Sequence, residues 1–389
     1  MAVKPGYKQT EVGEIPEEWA DVVLDSVTKR GSGHTPDKKH PEYWNGRINW
    51  VSLADSDALD DRYIEDTAAT ITPAGVANSS AVLHPAGTVI LSRDAGVGKS
   101  AIMKVSMAVS QHFMAWRCGP HLDNLFFYYW LQAEKPEFER IANGSTIKTI
   151  GLAYFQALRI PLPSLSEQRA IAAALGDVDA LIGALDQVIA KKRDLKQAAM
   201  QQLLTGQARL PGFCGEWGVK RLGEVLEIQK GQLITEKEAV PGAVPVIAGG
   251  KVPAYFHNRP NRTGKTITVS ASGASAGYVA FFDRPIFASD CSTIGEGVEY
   301  SIEFIFYQLE LRQATIYKAQ TGGAQPHIHA DDLSPLEVGF PRRPEQTAIA
   351  EVLTDMDAEI AALEQRRDKT RALKQGMMQE LLTGRTRLV

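Results

Sequence analysis

The sequence predicts an α+β protein built twice, with two mixed globular halves, each followed by one long helix, and the two helices paired. Three observations carry this. Residues 167–210 and 345–388 align at a constant offset of 178 without a gap and are identical at 26 of 44 positions, an internal duplication. Both copies are apolar at helical spacing. Before each copy, short apolar runs alternate with turn-rich loops, and the order of these pieces is the same in both halves.

The helices read as follows. In the first copy Ile171, Leu175, Val178, Ile182, Leu185 and Ile189 step by four and three, and in the second Ile349, Leu353, Met356, Ile360 and Leu363 do the same. This leaves one narrow apolar seam, the pattern of a coiled coil rather than the wider stripe of a core helix. Each copy follows a proline-bearing segment (Pro161 and Pro163; Pro341 and Pro344) and ends in Leu-Leu-Thr-Gly, with Gly206 and Gly384 at the C-terminal cap. A single exposed seam is unstable alone, so the two copies are expected to pair with each other. Two unrelated core helices would not share exposed residues such as Lys196-Gln197 and Lys374-Gln375.

The expected divisions are 1–160, 161–210, 211–340 and 341–389. In 1–160, INWVSLAD (48–55) and TVILSRD (88–94) read as buried strands, and AIMKVSMAVS as a further strand. Six acids in Asp55–Asp66 (Asp55, Asp57, Asp60, Asp61, Glu65, Asp66) read as a solvated surface, and Asp123–Ile141 as an aromatic helix. In 211–340, Trp217 with VKRLGEV parallels Trp19 with ADVVLDSV. TITVSASG then GYVAFF parallels TVILSRDAG then AIMKV, ASDCSTI parallels AVSQHFM, and Ile302–Leu311 is the second aromatic helix.

Composition bounds the function. The 389 residues, 44% hydrophobic and 23% charged, suit a globular chain of two or three domains. No apolar run approaches the roughly 20 residues of a membrane span, and the N-terminus has no apolar core of a signal peptide. Cys118, Cys214 and Cys291 form no CxxC pair, which suggests reduced thiols and a cytoplasmic location. The net charge is −4: residues 1–160 hold 16 basic and 19 acidic residues, and 211–340 hold 11 and 14. Any contact with DNA must therefore come from local basic loops.

Motifs of catalysis fail on inspection. AGVGKS lacks the upstream glycine of a phosphate-binding loop, since Arg93 stands there, and a strand rather than a helix follows. His327 and His329 have no Cys or carboxylate partner at metal-ligand spacing, and NRPN (258–261) lacks the second proline and aromatic of an adenine-methylase motif. No catalytic residue and no metal ligand is assigned. What remains is a set of loops rich in Gly, Ser, Thr, Lys, Arg, Asn and Gln at equivalent places in both halves: 29–39, 93–100 and 143–149, then 229–237, 249–265, 270–276 and 321–329. Such loops suit DNA, because glycine admits backbone to the phosphates, cations neutralise them, and Arg, Asn and Gln read base edges. Candidate phosphate contacts are Lys29, Arg30, Lys38, Lys39, Lys99, Lys148, Lys230, Lys251 and Lys265. Candidate base readers are Arg93, Arg262, Gln232, Asn258 and Gln325, with His34, Tyr255 and His327 as further DNA contacts.

The whole chain resembles the specificity (S) subunit of type I restriction–modification enzymes. The resemblance rests on the helix starts IPLPSLSEQRAIAAAL and GFPRRPEQTAIAEVL, the ends LLTGQARL and LLTGRTRL, and EIPEEW, LSRDAGVGKSAI, VSQHF and GGAQPHI. It implies two target-recognition domains, each reading half of a split site in double-stranded DNA. It further implies an antiparallel, pseudo-two-fold helix pair that separates them, sets the spacer and docks two methyltransferase subunits. S-adenosylmethionine, ATP and Mg would belong to those subunits and to a motor-nuclease subunit, and no cofactor to this chain. A fused methylase–nuclease system of type IIB character, or a protein-binding coiled-coil scaffold, are the other readings.

Overall fold

The computed structural model describes residues 4–144, 147–322 and 325–388. Ser145 and Thr146 in the loop 143–149, and Gly323 and Ala324 in 321–329, lie outside the described residues, as does the side chain of Asp60. The chain divides into two compact units, residues 1–184 with 367–389 and residues 185–366.

The first unit contains a five-stranded sheet in the order Thr28–Gly31, Phe113–Cys118, Val89–Ser92, Ser100–Met103, Tyr63–Ile64, antiparallel except for the last, parallel pairing. A second sheet has the order Thr70–Ile71, Trp44–Val51, Met107–Val109, Leu83–His84. The run AIMKVSMAVS is thus two strands in two sheets. Exposed Lys104, Val105 and Ser106 make the crossing, where the apolar pattern lapses. INWVSLAD also divides. Its strand stops at Val51, and Ser52 caps a 3₁₀ helix Leu53–Asp60, accepting from the Ala54 N–H at 3.2 Å while Asp55 accepts from the Ser52 N–H at 2.8 Å. Asp55 is therefore buried, not part of a solvated acidic run, and it also accepts from the Ala68 N–H at 2.6 Å. Asp57, Asp61, Glu65 and Asp66 are exposed.

The aromatic helix spans Asn124–Ala133, with Asp123 as its N-cap accepting from the N–H groups of Leu125 and Phe126. Phe126 to Leu131 are all buried. A helix apolar all round must sit inside a core. It ends at Glu134, and a second helix Lys135–Ile141 restarts with Pro136 in its first turn, so the expected single element is two.

The second unit repeats this plan. Its main sheet has the order Ile228–Lys230, Cys291–Ile294, Thr266–Ser270, Val279–Phe282, antiparallel throughout. A smaller sheet joins Tyr255–His257, Val244–Ile247 and Phe287–Ala288. Helix Ile302–Leu311 is capped by Ser301, which accepts from the Phe304 N–H. The offset of 178 extends beyond the long helices, to Phe113/Cys291, Asp123/Ser301, Tyr129/Tyr307 and Arg159/Glu337. Upstream, at Trp19/Trp217 and Leu24/Leu222, it is 198, so the first half carries an insertion between those landmarks.

The long helices are Leu165–Leu203 and Arg343–Leu381. In the first unit the start of one (Ile171, Ala172, Leu175) and the end of the other (Met377, Met378, Leu381) share a core with Trp19, Trp116 and Phe126. In the second unit Met200, Leu203 and Leu204 join Ile349, Ala350 and Leu353 around Phe304 and Leu309. Leu185, Ile189 and Ile360 are buried, and Val178, Ile182, Met356 and Leu363 are half-buried. Within each unit the helices run antiparallel. Glu167 meets Arg387 (2.8 Å) and Asp179 meets Lys374 (2.6 Å) in one, and Arg209 meets Glu345 (2.7 Å) and Lys196 meets Asp357 (2.7 Å) in the other. The two sets are the same pairs shifted by 178.

These contacts account for the repeated residues at the helix ends. The Glu of each Glu-Gln start takes the Arg that follows the other copy's Leu-Leu-Thr-Gly, and that Arg lies over a tryptophan, Arg387 over Trp19 and Arg209 over Trp217. The Gln is fully buried. Gln168 accepts from the Asp123 N–H at 2.8 Å and donates to the carbonyls of His121 and Pro163. Gln346 likewise accepts from the Ser301 N–H at 3.0 Å and donates to the Pro341 carbonyl. Gly206 and Gly384 end the helices at φ 74° and 72°, the left-handed conformation that turns the chain toward the Arg.

Candidate nucleic-acid interface

In the first unit two of the polar loops meet at one residue, and the third is tied in beside it through Gln111. Asp94 is buried, accepts from His112 Nδ1 at 2.8 Å, and accepts from the Thr149 hydroxyl on its other oxygen. The backbone is stitched at the same place, with Arg93 N–H donating to the His112 carbonyl and Ile150 N–H to the Arg93 carbonyl, both at 3.0 Å. A carboxylate only accepts, so His112 Nδ1 carries a proton, and in the neutral ring Nε2 is an acceptor. Gln111 Nε2 stands 3.4 Å from that nitrogen, and Gln111 Oε1 accepts from the Thr35 hydroxyl at 2.8 Å. The loop 29–39 is thereby joined to the loops 93–100 and 143–149. It passes so close to the strand before Gln111 that a Cβ on Gly33 would lie 1.6 Å from the Val109 carbonyl oxygen.

The second unit builds the same junction from other residues. Ser272, Asp290 and His327 stand at the positions of Asp94, His112 and Thr149. The Ser272 hydroxyl donates to Asp290, Ser272 and His327 are bridged strand to strand, and Ala271 N–H donates to the Asp290 carbonyl at 3.1 Å. Gly231 and Gln232 lie on it through N–H bonds to the carbonyls of Cys291 and Ala288. A cavity of ≈ 250 Å³ opens here, lined by Lys230, Ser289, Asp290, Ser292, His329 and Asp331 among others. The acid has changed sides between the two junctions while the backbone ties remain.

The residues singled out from the sequence divide by what they touch. Lys29, His34, Lys38, Lys39 and Lys148 are exposed in the first unit, and Lys230, Gln232, Lys251, Asn258 and Gln325 in the second. Lys251 lies over the Tyr278 ring and His327 stacks on His329. Others are held by their own protein. Arg30 pairs with Asp25 at 3.1 Å, and Lys99 donates to the Ser56 carbonyl and pairs with Asp57. Lys265 pairs with Glu303 at 2.6 Å. The Tyr255 hydroxyl donates to the Ile234 carbonyl. Arg262 is turned inward, donating to the Thr293 hydroxyl and to the carbonyls of Asn261 and Lys230. Arg93 is half-buried beside Asp94 (3.6 Å), with its Nε buried and lacking a hydrogen-bond acceptor. AGVGKS is the turn of the hairpin between Val89–Ser92 and Ser100–Met103.

Sequence reasoning missed Thr35, Gln111, His112 and Asp290 as individual residues. The pointer was present in VSQHF and ASDCS, which occupy the same place in the two halves. Burial pushes the thiols of Cys118 and Cys291 up to about 12, so neither is a reactive thiolate near neutral pH. Among the described residues no group of three or more His, Cys, Asp or Glu could hold a metal ion, and no helix is long and apolar enough to cross a membrane.

Known proteins share this architecture. The family described as type I restriction modification DNA specificity domain matches twice, over residues 16–191 and 215–371. The type I restriction enzyme MjaIX specificity subunit of Methanocaldococcus jannaschii is 26% identical over 249 residues, 60% of this chain and 57% of that one. The MjaVIII specificity subunit of the same organism is 22% identical over 417 residues, 98% of this chain and 96% of its own. In fold, the crystal structure of a type I restriction-modification system S subunit from M. genitalium matches 98% of both chains with a TM-score of 0.64 at 17% identity. A chain from a study of complex assembly and conformational transition of the type I R-M system matches 95% of this chain and 99% of its own, also at 0.64 and 17%. The chain therefore belongs to the type I restriction–modification DNA specificity family, as a DNA-recognition subunit and not an enzyme.

Proposed function

We propose that this chain chooses the DNA sites of a type I restriction–modification complex by reading a bipartite sequence. Residues 1–160 and 211–340 are the target-recognition domains, one for each half-site. The helical segments 161–210 and 341–389 set the unread spacer and dock two methyltransferase subunits. Those subunits bring S-adenosylmethionine, and motor-nuclease subunits bring the ATP- and Mg-dependent step. This chain contributes no cofactor and acts where the DNA lies, in the cytoplasm.

The observation that carries the reading is the loop junction, built at the same three positions in both halves from different residues (Asp94, His112, Thr149; Ser272, Asp290, His327). A shared frame with exchanged side chains is what two readers of different sequences require. The exposed lysines Lys29, Lys38, Lys39, Lys148, Lys230 and Lys251 take phosphates, and Arg93, Gln232, Asn258 and Gln325 take base edges. The held residues Arg30, Lys99, Tyr255, Arg262 and Lys265 shape the loops around them, and His34 and His327 contact the backbone.

Methylation of genomic DNA is mapped in cells with and without this chain, in the presence of its methyltransferase subunits. Loss of methylation at one split motif of fixed spacer is expected. An unchanged methylome would overturn the proposal.

A further inference from the structure

Gln111 is exposed, yet its amide is held at both ends by its own protein. Asp94 fixes a proton of His112 on Nδ1, which in the neutral ring leaves Nε2 as an acceptor. That Nε2 accepts from the Gln111 NH₂ group, while Oε1 accepts from the Thr35 hydroxyl, so the amide is held at both ends. A Gln amide has two N–H groups and two lone pairs on its oxygen. With one of each engaged, one N–H and one lone pair remain on an exposed side chain, enough for a paired contact. Adenine alone among the bases offers the matching pair in the major groove, an N7 acceptor beside an N6 donor.

We infer that Gln111 is a base-reading residue for an adenine in the half-site of the first domain, with His112 and Asp94 as positioning residues that lock its amide. The inference rests on the proposal that the loop junction faces DNA. It applies to one half-site only, because the equivalent of Gln111 is Ser289, which is buried and whose hydroxyl accepts from the Ile234 N–H. Free exposed amides lose rotamer freedom on binding. One already held between Thr35 and His112 has little left to lose.

The full chain, assembled with its methyltransferase subunits, is offered a pool of duplexes randomised over the site, and the bound fraction is sequenced. For Gln111→Ala the preference at one A·T pair of one half-site should fall by roughly tenfold or more, with the other half-site unaltered. Gln111→Glu, which only accepts, should transfer that preference toward cytosine. Asp94→Asn, whose amide can present N–H to His112 and reverse its tautomer, should relax the same base pair. Added to Gln111→Ala, it should relax that pair no further. An unchanged profile in the Gln111 variants, or a uniform loss at every position, overturns the inference while the bipartite reading stands. A wild-type complex without any split preference overturns both.

Discussion

Lys374 reaches Asp179 at 2.6 Å, and the same carboxylate also accepts from the Tyr129 hydroxyl at 2.8 Å and from Arg62 at 2.9 Å. Lys196, Asp357 and Tyr307 repeat the core of this arrangement in the second unit. The fourth member differs: Arg62, a second cation on Asp179, is answered by Glu310, a second acid on Lys196. Removing the acceptor in Asp179→Ala would leave Lys374 and the Tyr129 hydroxyl without this partner in a half-buried place, and Arg62 with the Gly176 carbonyl alone. A loss of about 1–3 kcal/mol is expected, read as a lower unfolding midpoint of the first unit in denaturant. An unchanged midpoint would show the cluster to be ornamental.

The same carboxylate sets an acid limb. Burial pushes its pKa up, but the bonds from Lys374, Tyr129 and Arg62 outweigh burial and hold it below its ordinary 3.8. Its stabilising share is present above the unfolded value and is lost as the pH falls through the folded one. From about pH 4 downward, wild type should lose stability faster than Asp179→Asn, so the two curves converge on acidification. Parallel curves in a pH series of urea titrations would contradict this.

Gln168 and Gln346 each fasten the start of a long helix to the N-cap of an aromatic helix in the same unit. Gln168→Ala strands the part-buried Asp123 N–H and the carbonyls of His121 and Pro163, at a cost of about 2–3 kcal/mol. Gln168→Glu should be nearly as damaging, since a carboxylate cannot donate to the carbonyls of His121 and Pro163. Calorimetry should find the lowered transition in the unit that carries the change.

Exposed and ion-paired lysines should differ in their salt dependence. Each phosphate contact steepens log K against log salt by about 0.9. Replacing Lys29, Lys38 and Lys39 together by alanine should flatten the slope by about 2–3 if all three touch phosphate. Lys265→Ala should leave it unaltered, because that ammonium is held by Glu303. Equal slopes for both proteins would remove these three lysines from the interface.

Much of the architecture was legible because it is periodic or local. The 3–4 apolar steps from Ile171 to Ile189, the Leu-Leu-Thr-Gly ends and the aromatic run at Ile302–Leu311 each fall within one stretch of chain. The candidate interface was legible only as a set of loops. Arg262 looks like a free base reader in sequence, and only Thr293, distant in the chain, reveals that it is bound inward. Asp55 looks like one of a solvated run, and its burial depends on Ser52 and Ala68. Gln111 and His112 lie in VSQHF, whose place in the half was legible, but nothing local told which of its residues meet Asp94 and Thr35.

By itself the sequence determined the duplication, the two long helices with their caps, the α+β halves and the family, because repetition and periodicity are written residue by residue. Only the tertiary structure decided which charges are spent within the protein and which remain exposed. It also decided that Asp94, His112 and Thr149 meet, and that the helix ends are buried in the unit cores. Those outcomes depend on pairs of residues far apart in the chain, whose proximity exists only once the sheets and helices have packed.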